Sequence, residues 1–235
     1  MSTRTYYDEF SRGYDQARGR RYHRLLDELE LRAIAPLTAG RDALDLACGT
    51  GLILMALHEQ ARNAVGLDLS GGMLRIAARR GLRVVQGAAH HLPFPDASFD
   101  LVTCFKAFPH FDARKRSLAE IGRVLRPGGW AALELYNPHS LRGLLRRLGP
   151  ARATSAAYHE GEVSTQFDTP RTLARDLPPG LLVERARGIR VVLPAGELLD
   201  VPVAGAWLAA AERRLSALSA ARHIAGFVVV LLRKI

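Results

Sequence analysis

The chain has 235 residues, 48% of them hydrophobic and 24% charged, with a formal net charge of +10. That length suits one sizeable α/β domain with room for an insertion, and the apolar content supports a packed core and excludes wholesale disorder. Two cysteines exclude a disulfide scaffold and make a reducing cytoplasm the expected compartment, while no signal-peptide core and no run near the roughly 18–20 apolar residues of a membrane span is present.

The first stretch is aromatic and basic, with Tyr6, Tyr7, Phe10, Tyr14, Tyr22 and His23 interleaved with Arg12, Arg18, Arg20 and Arg21. Such rings either cover a sheet edge or form a cap that closes over a ligand and shuts out water. From Tyr22 to Ile34 apolar or aromatic residues recur at 22, 25, 26, 29 and 33, the period of an amphipathic helix that Pro36 and Gly40 end.

Residues 43–48 then read as an apolar strand carrying Asp45, which enters a tight turn at Gly49 and Gly51 and opens into a helix over 52–60. Strand, glycine elbow and helix N-terminus together form the usual seat of a nucleotide-like ligand in an open α/β sheet. Glycine admits positive φ there and lets the ligand approach the backbone. A dinucleotide fingerprint would need a third glycine where Leu54 stands, and a pyrophosphate would be repelled by Asp45. A P-loop is excluded because no Gly-Lys-Ser/Thr follows the turn. The carboxylate suits a cationic amino-acid tail, and S-adenosylmethionine, with an α-ammonium, a sulfonium and no phosphate, matches it. A second strand over 64–68 ends in Asp68, placed to hold a ribose diol, and Ser70 reads as the N-cap of a helix over 71–80.

A third strand follows over 82–86 and a fourth over 99–104. His90 and His91 point in different directions and have no third ligand spaced to help, so no metal is expected. Asp112 is the expected cap of a helix over 113–125 that presents Leu118, Ile121 and Leu125 on one face. Pro127-Gly128-Gly129 signals a turn, and Trp130 to Tyr136 the next strand. Residues 137–170 read as an insertion over the strand tips, with a basic helix at 141–148, a Ser/Thr/Gly-rich loop and a short strand near 163–167. Strands at 181–184 and 227–232 close the sheet, with an alanine-rich helical region over 198–218 between them. Strands separated by helices imply parallel crossovers and a doubly wound sheet. Cys48 and Cys104, at strand ends, read as small buried thiols.

Four motifs in this order, Ala43–Gly51, Val65–Ser70, Leu92–Val102 and Glu120–Gly129, resemble the class I S-adenosylmethionine-dependent methyltransferases, in particular the small-molecule type similar to quinone-biosynthesis methyltransferases. The resemblance runs from about Tyr6 to Tyr136. It implies a Rossmann-like, doubly wound seven-stranded sheet of order 3-2-1-4-5-7-6 with the last strand antiparallel. One domain would comprise an N-terminal helical cap (1–40), a cofactor-binding core (41–136), the insertion after strand 5 (137–170) and the C-terminal part of the sheet (171–235). S-adenosyl-L-methionine would be the donor and S-adenosyl-L-homocysteine the product, held by Tyr14, Asp45, Ala47, Cys48, Gly49, Gly51, Asp68, Leu69, Met73, Ala88, Ala89 and Phe105. Tyr22, His23, Lys106, Tyr136 and Tyr158 would line the acceptor side, with His110 as general base.

The chain departs from that family at Ala88, where an Asp usually receives the adenine amino group; backbone around Ala88 and Ala89, with Leu69 and Leu92, would take its place. The Asn-Pro-Pro-Tyr signature of amino-group methylases is absent after strand 4. Together these features point to methyl transfer onto an oxygen or carbon nucleophile of a small, partly apolar metabolite, by a cytoplasmic monomer or homodimer. Two alternatives stay open. The net charge motivates an RNA-modifying methyltransferase, although scattered arginines rather than one stripe argue against a nucleic-acid partner. Ala88 motivates a noncatalytic, cofactor-binding regulatory protein.

Overall fold

The computed structural model describes residues 3–140, 165–193 and 196–235. Two helices lead, α1 (Thr3–Arg18) and α2 (Arg21–Ile34). Strands β1 (Asp42–Leu46), β2 (Asn63–Asp68), β3 (Val84–Gln86), β4 (Phe99–Cys104) and β5 (Leu125–Tyr136) follow, with α3 (Leu52–Gln60), α4 (Gly71–Arg79) and α5 (Arg114–Val124) between them. A single helical turn, α6 (Pro170–Leu173), precedes β6 (Leu181–Ile189), α7 (Ala204–Leu215) and β7 (Phe227–Lys234).

The seven strands form one sheet in the order β3-β2-β1-β4-β5-β7-β6. The first five run parallel, and β7 is antiparallel to both its neighbours. The order and the direction of the last strand are those expected from the sequence. Chain reversal around β1 brings the carboxyl ends of β1, β2 and β4 to one edge, where a parallel sheet opens its ligand crevice.

Alternation along the strands divides the core. Val228, Val230 and Leu232 pack with Leu118, Ile121 and Val124 of α5, whereas Val229 and Leu231 face the side of Leu25, Leu26 and Leu29 of α2 and Leu54 and Leu57 of α3. Both faces are covered, which a parallel sheet requires. Each buried leucine in these layers contributes about 1.5–3 kcal/mol by leaving water.

The structure corrects several boundaries. β5 begins at Leu125, and Pro127-Gly128-Gly129 is a bulge inside it rather than a turn before it: Phe99 pairs with Leu125 and Leu101 with Trp130. Gly128 supplies a φ of +76°, and a Cβ at Gly129 would lie 2.8 Å from the Arg126 carbonyl. Asp112 does not cap α5; Ala113 holds the N-cap position, without a side-chain bond. β6 continues to Ile189, because residues past Glu184 keep pairing with β7 across a register shift. The 198–218 region is not one helix. A 3-10 turn at Gly196–Asp200 and a break at Pro202 precede α7, and another 3-10 turn follows at Ser219–His223. The basic helix at 141–148, Tyr158 and residues 163 and 164 lie outside the described residues; of the expected strand near 163–167, the described part, 165–167, shows only one isolated parallel bridge, from Phe167 to Tyr136.

Candidate active site

The elbow after β1 is built on left-handed backbone. Gly49 has φ +56° and Gly51 +87°, and even Ala47 is held at +60°. A Cβ at Gly51 would sit 2.4 Å from Leu82 Cδ1, which that side chain could turn to relieve, so it is the left-handed backbone that calls for glycine there. At Gly49 a Cβ would meet nothing within 4 Å, so the backbone there faces open space. Ala47 carries strain of order 1–3 kcal/mol, the kind found where backbone is shaped for a ligand.

The tip of β2 is tied to this elbow. Asp68 accepts the Gly49 amide on Oδ2 at 2.8 Å and the Ser70 amide on Oδ1 at 2.8 Å. Ser70 caps α4 as expected, its hydroxyl accepting from the Met73 amide at 3.1 Å. Burial raises the Asp68 pKa while these backbone donors pull it down.

Beside the elbow a solvent-open cleft with about 350 Å³ of empty space is walled by Tyr14, Arg18, Asp45, Ala47, Cys48, Thr50, Leu52, Ile53, Phe105 and Lys106. Asp45 is only 3% exposed, accepts from Thr103 Oγ1 at 2.8 Å, and is pushed by burial up to a pKa of about 7. A buried carboxyl at a cleft wall is the group that an arriving ammonium stabilises, because the cation offsets its desolvation. The donor set therefore fits S-adenosylmethionine: a carboxyl for the amino-acid ammonium, an open glycine backbone, and Asp68 one strand over for the ribose.

Helix α1 closes the cleft from above. Asp8 accepts from the Ser70 hydroxyl at 2.6 Å and the Gly72 amide at 2.7 Å, so it docks α1 on the N-terminus of α4. Asp15 accepts from Thr50 Oγ1 at 2.7 Å and pairs with Arg80. Gly72 permits the approach, since a Cβ there would lie 2.8 Å from Ser11 Oγ and 2.9 Å from the Asp8 carbonyl. Tyr14, on this helix, is a cleft wall.

The other expected cofactor residues sit around this core. Met73 is buried in the first turn of α4, and Leu69 is 39% exposed at the β2 tip. Ala88 and Ala89 are half-buried in a turn where Ala88 bridges to His91. Cys48 and Cys104 are buried free thiols with pKa values raised chiefly by burial.

On the acceptor side the candidates separate into two places. Lys106 is a cleft wall. His110 and Tyr136 lie further along the β4 and β5 tips, where His110 Nε2 is 3.5 Å from the Tyr136 hydroxyl and Nδ1 3.3 Å from Thr165 Oγ1. Tyr136 also stands against Phe167 and Phe227. Tyr22 is packed between Gly196 and the Arg190 guanidinium. His23 accepts from Arg18 on Nδ1 at 3.0 Å, and burial first, then that guanidinium, lowers its pKa to about 4. Its ring is neutral at neutral pH.

Beneath Lys106 and Arg18 lies a group of charges that sequence reasoning missed. Lys106 donates to Asp27 at 2.8 Å and bonds Glu30, while Arg18 pairs with Asp27. Glu30 and Glu134 are both fully buried. The available signals were Glu30 beside the apolar stripe of α2 and Glu134 inside the apolar run Trp130–Tyr136. Lys106 itself has φ +60°, another strained non-glycine position at the site. No group of three or more His, Cys, Asp or Glu among the described residues is arranged to hold a metal ion.

Comparison with known proteins agrees with this geometry. Residues 44–133 match a family model described as a methyltransferase domain. The chain is 32% identical over 189 residues to a demethylmenaquinone methyltransferase of Deinococcus radiodurans, covering 72% of this chain and 74% of that one. It is 37% identical over 120 residues to a phthiotriol/phenolphthiotriol dimycocerosates methyltransferase of Mycobacterium tuberculosis, covering 46% of this chain but 40% of that relative's length. Among solved structures, an S-adenosylmethionine-dependent methyltransferase of Thermotoga maritima superposes with a TM-score of 0.69 at 21% identity, over 98% of this chain and 99% of that one, a likeness of fold. The chain belongs to the class I S-adenosylmethionine-dependent methyltransferases.

Proposed function

We propose that the protein transfers the methyl group of S-adenosyl-L-methionine to an oxygen or carbon nucleophile of a small, partly apolar metabolite, in the cytoplasm. The observation that carries the reading is Asp45, buried in the cleft wall one strand from Asp68, both carboxyls around an open glycine backbone. Asp45 would receive the methionine ammonium, Asp68 the ribose hydroxyls, and Tyr14 with α1 would keep water out. When bound, S-adenosylmethionine supplies an activated methyl on a sulfonium, so the protein's main work is alignment. The relatives named for quinone and lipid acceptors support a partly apolar substrate. His110 is proposed as a base near the β4 tip, and Tyr22, His23, Lys106 and Tyr136 as the acceptor side.

A small molecule is favoured over RNA by the arginines themselves. Arg18, Arg80, Arg114, Arg123, Arg126 and Arg213 are each paired with an acid within the fold, so these guanidiniums are already engaged rather than set out as one stripe for a phosphate backbone. The reading is tested by incubating the purified protein with cell extract and an isotopically labelled methyl donor, then searching for labelled products by mass spectrometry. A labelled small molecule is the expected outcome. Labelled RNA would redirect the assignment, and cofactor binding without any labelled product would make the protein a noncatalytic member.

A further inference from the structure

Helix α7 turns polar groups toward the fold and an apolar stripe toward water. Glu212 is 0% exposed and accepts the Val191 amide at 2.8 Å and the Val192 amide at 2.9 Å. Arg213 donates to Glu28 of α2 at 2.9 and 2.8 Å. Gly205 lies so near Leu199 that a Cβ there would stand 2.2 Å from the Leu199 carbonyl oxygen. These contacts fix which face is inward. The outer face carries Val203, Ala206, Trp207, Ala210 and Arg214, all exposed and at the spacing of one helical stripe. Trp207 and Val203 are each 73% exposed.

Val203 adds a second observation. It has φ +62° and ψ −60°, at the centre of a tight turn in which the Ala204 amide reaches the Pro202 carbonyl at 2.7 Å. That turn is rare and strained, the more so for a β-branched residue. Here the strain holds an apolar side chain out in solvent. An apolar patch kept exposed in this way marks a surface that meets a partner.

Charges at the two ends of the stripe select the partner. Asp200 stands just ahead of α7 and Arg214 in its last turn; both are exposed, and neither side chain has a partner among the described residues. Each lies seven residues from Trp207, one before it and one after. A second α7 laid antiparallel over the first, with a two-fold axis near Trp207, brings each Arg214 to the other copy's Asp200. The two helix dipoles then oppose, which is also favourable. Ala206 and Ala210 leave room for the helices to approach around the indoles. A lipid surface of anionic headgroups fits less well, because it would also meet Asp200 and Glu197, both exposed at the same end.

We infer that the outer face of α7 is a self-association surface, on which two copies of the chain pair antiparallel about Trp207 and exchange Asp200–Arg214 ion pairs. Trp207 of each copy packs on the Val203 and Ala210 side chains of the other. The surface is small beside standard specific interfaces, so the dimer exchanges with monomer at micromolar concentration. The 196–200 segment that carries Asp200 packs through Gly196 on Tyr22, so the contact abuts the proposed acceptor side. The pairing does not depend on the methyltransferase reading.

Sedimentation velocity of the full chain at low salt, between about 1 and 200 µM, tests this. The wild type should pass reversibly from monomer to dimer, and Trp207→Ser should stay monomeric. Asp200→Arg alone and Arg214→Asp alone should each weaken the dimer about tenfold, since a two-fold axis turns both ion pairs repulsive at once. The two exchanges combined should restore it to within about threefold of the wild type, because the pairs re-form with their signs swapped. S-adenosylhomocysteine affinity, equal within about twofold in every variant, reports that each is folded. A wild type that is monomeric throughout overturns the inference, as does a dimer indifferent to Trp207→Ser or a combined exchange as weak as the single ones. A monomer that sediments with phosphatidylglycerol–phosphatidylcholine vesicles, and loses this in Trp207→Ser, overturns it in favour of a membrane surface.

Discussion

Asp68 grips the amide of Gly49 across the gap between β2 and β1 at 2.8 Å, so the residue proposed for the ribose also holds the glycine elbow in shape. The two roles predict a split between substitutions. Asp68→Ala should weaken S-adenosylhomocysteine binding by about 1.5–3 kcal/mol, on the order of 10- to 150-fold, through lost charged hydrogen bonds. Asp68→Asn keeps one acceptor oxygen and should lose less. Calorimetry at constant pH measures both; equal affinity in all three proteins would remove Asp68 from the site.

How much of this was legible in the sequence follows from where the signals are local. Gly49, Gly51, Asp68 and Ser70 announce themselves because turn geometry, capping and strand ends are short-range properties. The sheet order came from recognising that pattern as a family. The bulge at Pro127-Gly128-Gly129 was misread as a turn, since the same residues serve both and only pairing with β4 tells them apart. The break at Val201–Val203 was hidden by apolar composition despite Pro202. Glu30 and Glu134 showed locally only as acids set in apolar surroundings; that they meet could not be read, because they come together from α2 and β5, more than a hundred residues apart.

Asp45 should make cofactor binding depend on pH. Its folded pKa of about 7 lies above the ordinary 3.8, so it is largely neutral below that value. The sign for stability follows: this carboxyl favours the folded state most below its unfolded pKa, and the benefit is lost as pH rises from about 4 through about 7. The ligand ammonium acts oppositely, because it needs the ionised form. Affinity for S-adenosylhomocysteine should therefore rise with pH up to about 7 and then level off, with proton release on the acid side. Calorimetry in buffers of different ionisation enthalpy detects the proton, and Asp45→Asn should flatten the profile. A flat wild-type profile would mean that Asp45 does not meet the ammonium.

Gly72 should control closure of α1. A methyl group there would press on Ser11 Oγ at 2.8 Å and on the Asp8 backbone at 2.9 and 3.0 Å. Backbone cannot yield cheaply at such distances, so Gly72→Ala should lift α1 off α4 and break the Asp8 bonds to Ser70 and Gly72. The sheet core, formed by other elements, should survive. Limited proteolysis should then cut between α1 and α2, near Gly19, faster than in the wild type, and S-adenosylhomocysteine should protect less. Identical cleavage rates would show that α1 is not held by this contact.

Lys106 provides the sharpest test of the buried charges, because Glu30, one of its two partners, is sealed from water. Its ammonium serves Asp27 and Glu30, and Glu30 is fully buried. Burial works against the charged lysine, but the acids outweigh it and its pKa ends above the ordinary value. Lys106→Met keeps the apolar stem and leaves the buried Glu30 uncompensated, while Asp27 keeps Arg18, so it should cost about 3–5 kcal/mol of unfolding free energy. The raised lysine pKa means that the benefit is present below the unfolded value and is lost only as pH climbs through the folded one, so stability should not vary on this account near neutrality. Adding Glu30→Gln to Lys106→Met removes one orphaned charge and should recover part of the loss. Denaturant unfolding of the single and double variants measures the coupling. Additive losses would mean that Lys106 and Glu30 do not depend on each other, and the closed arrangement of the cleft wall would then have to rest on Arg18 and Asp27 instead.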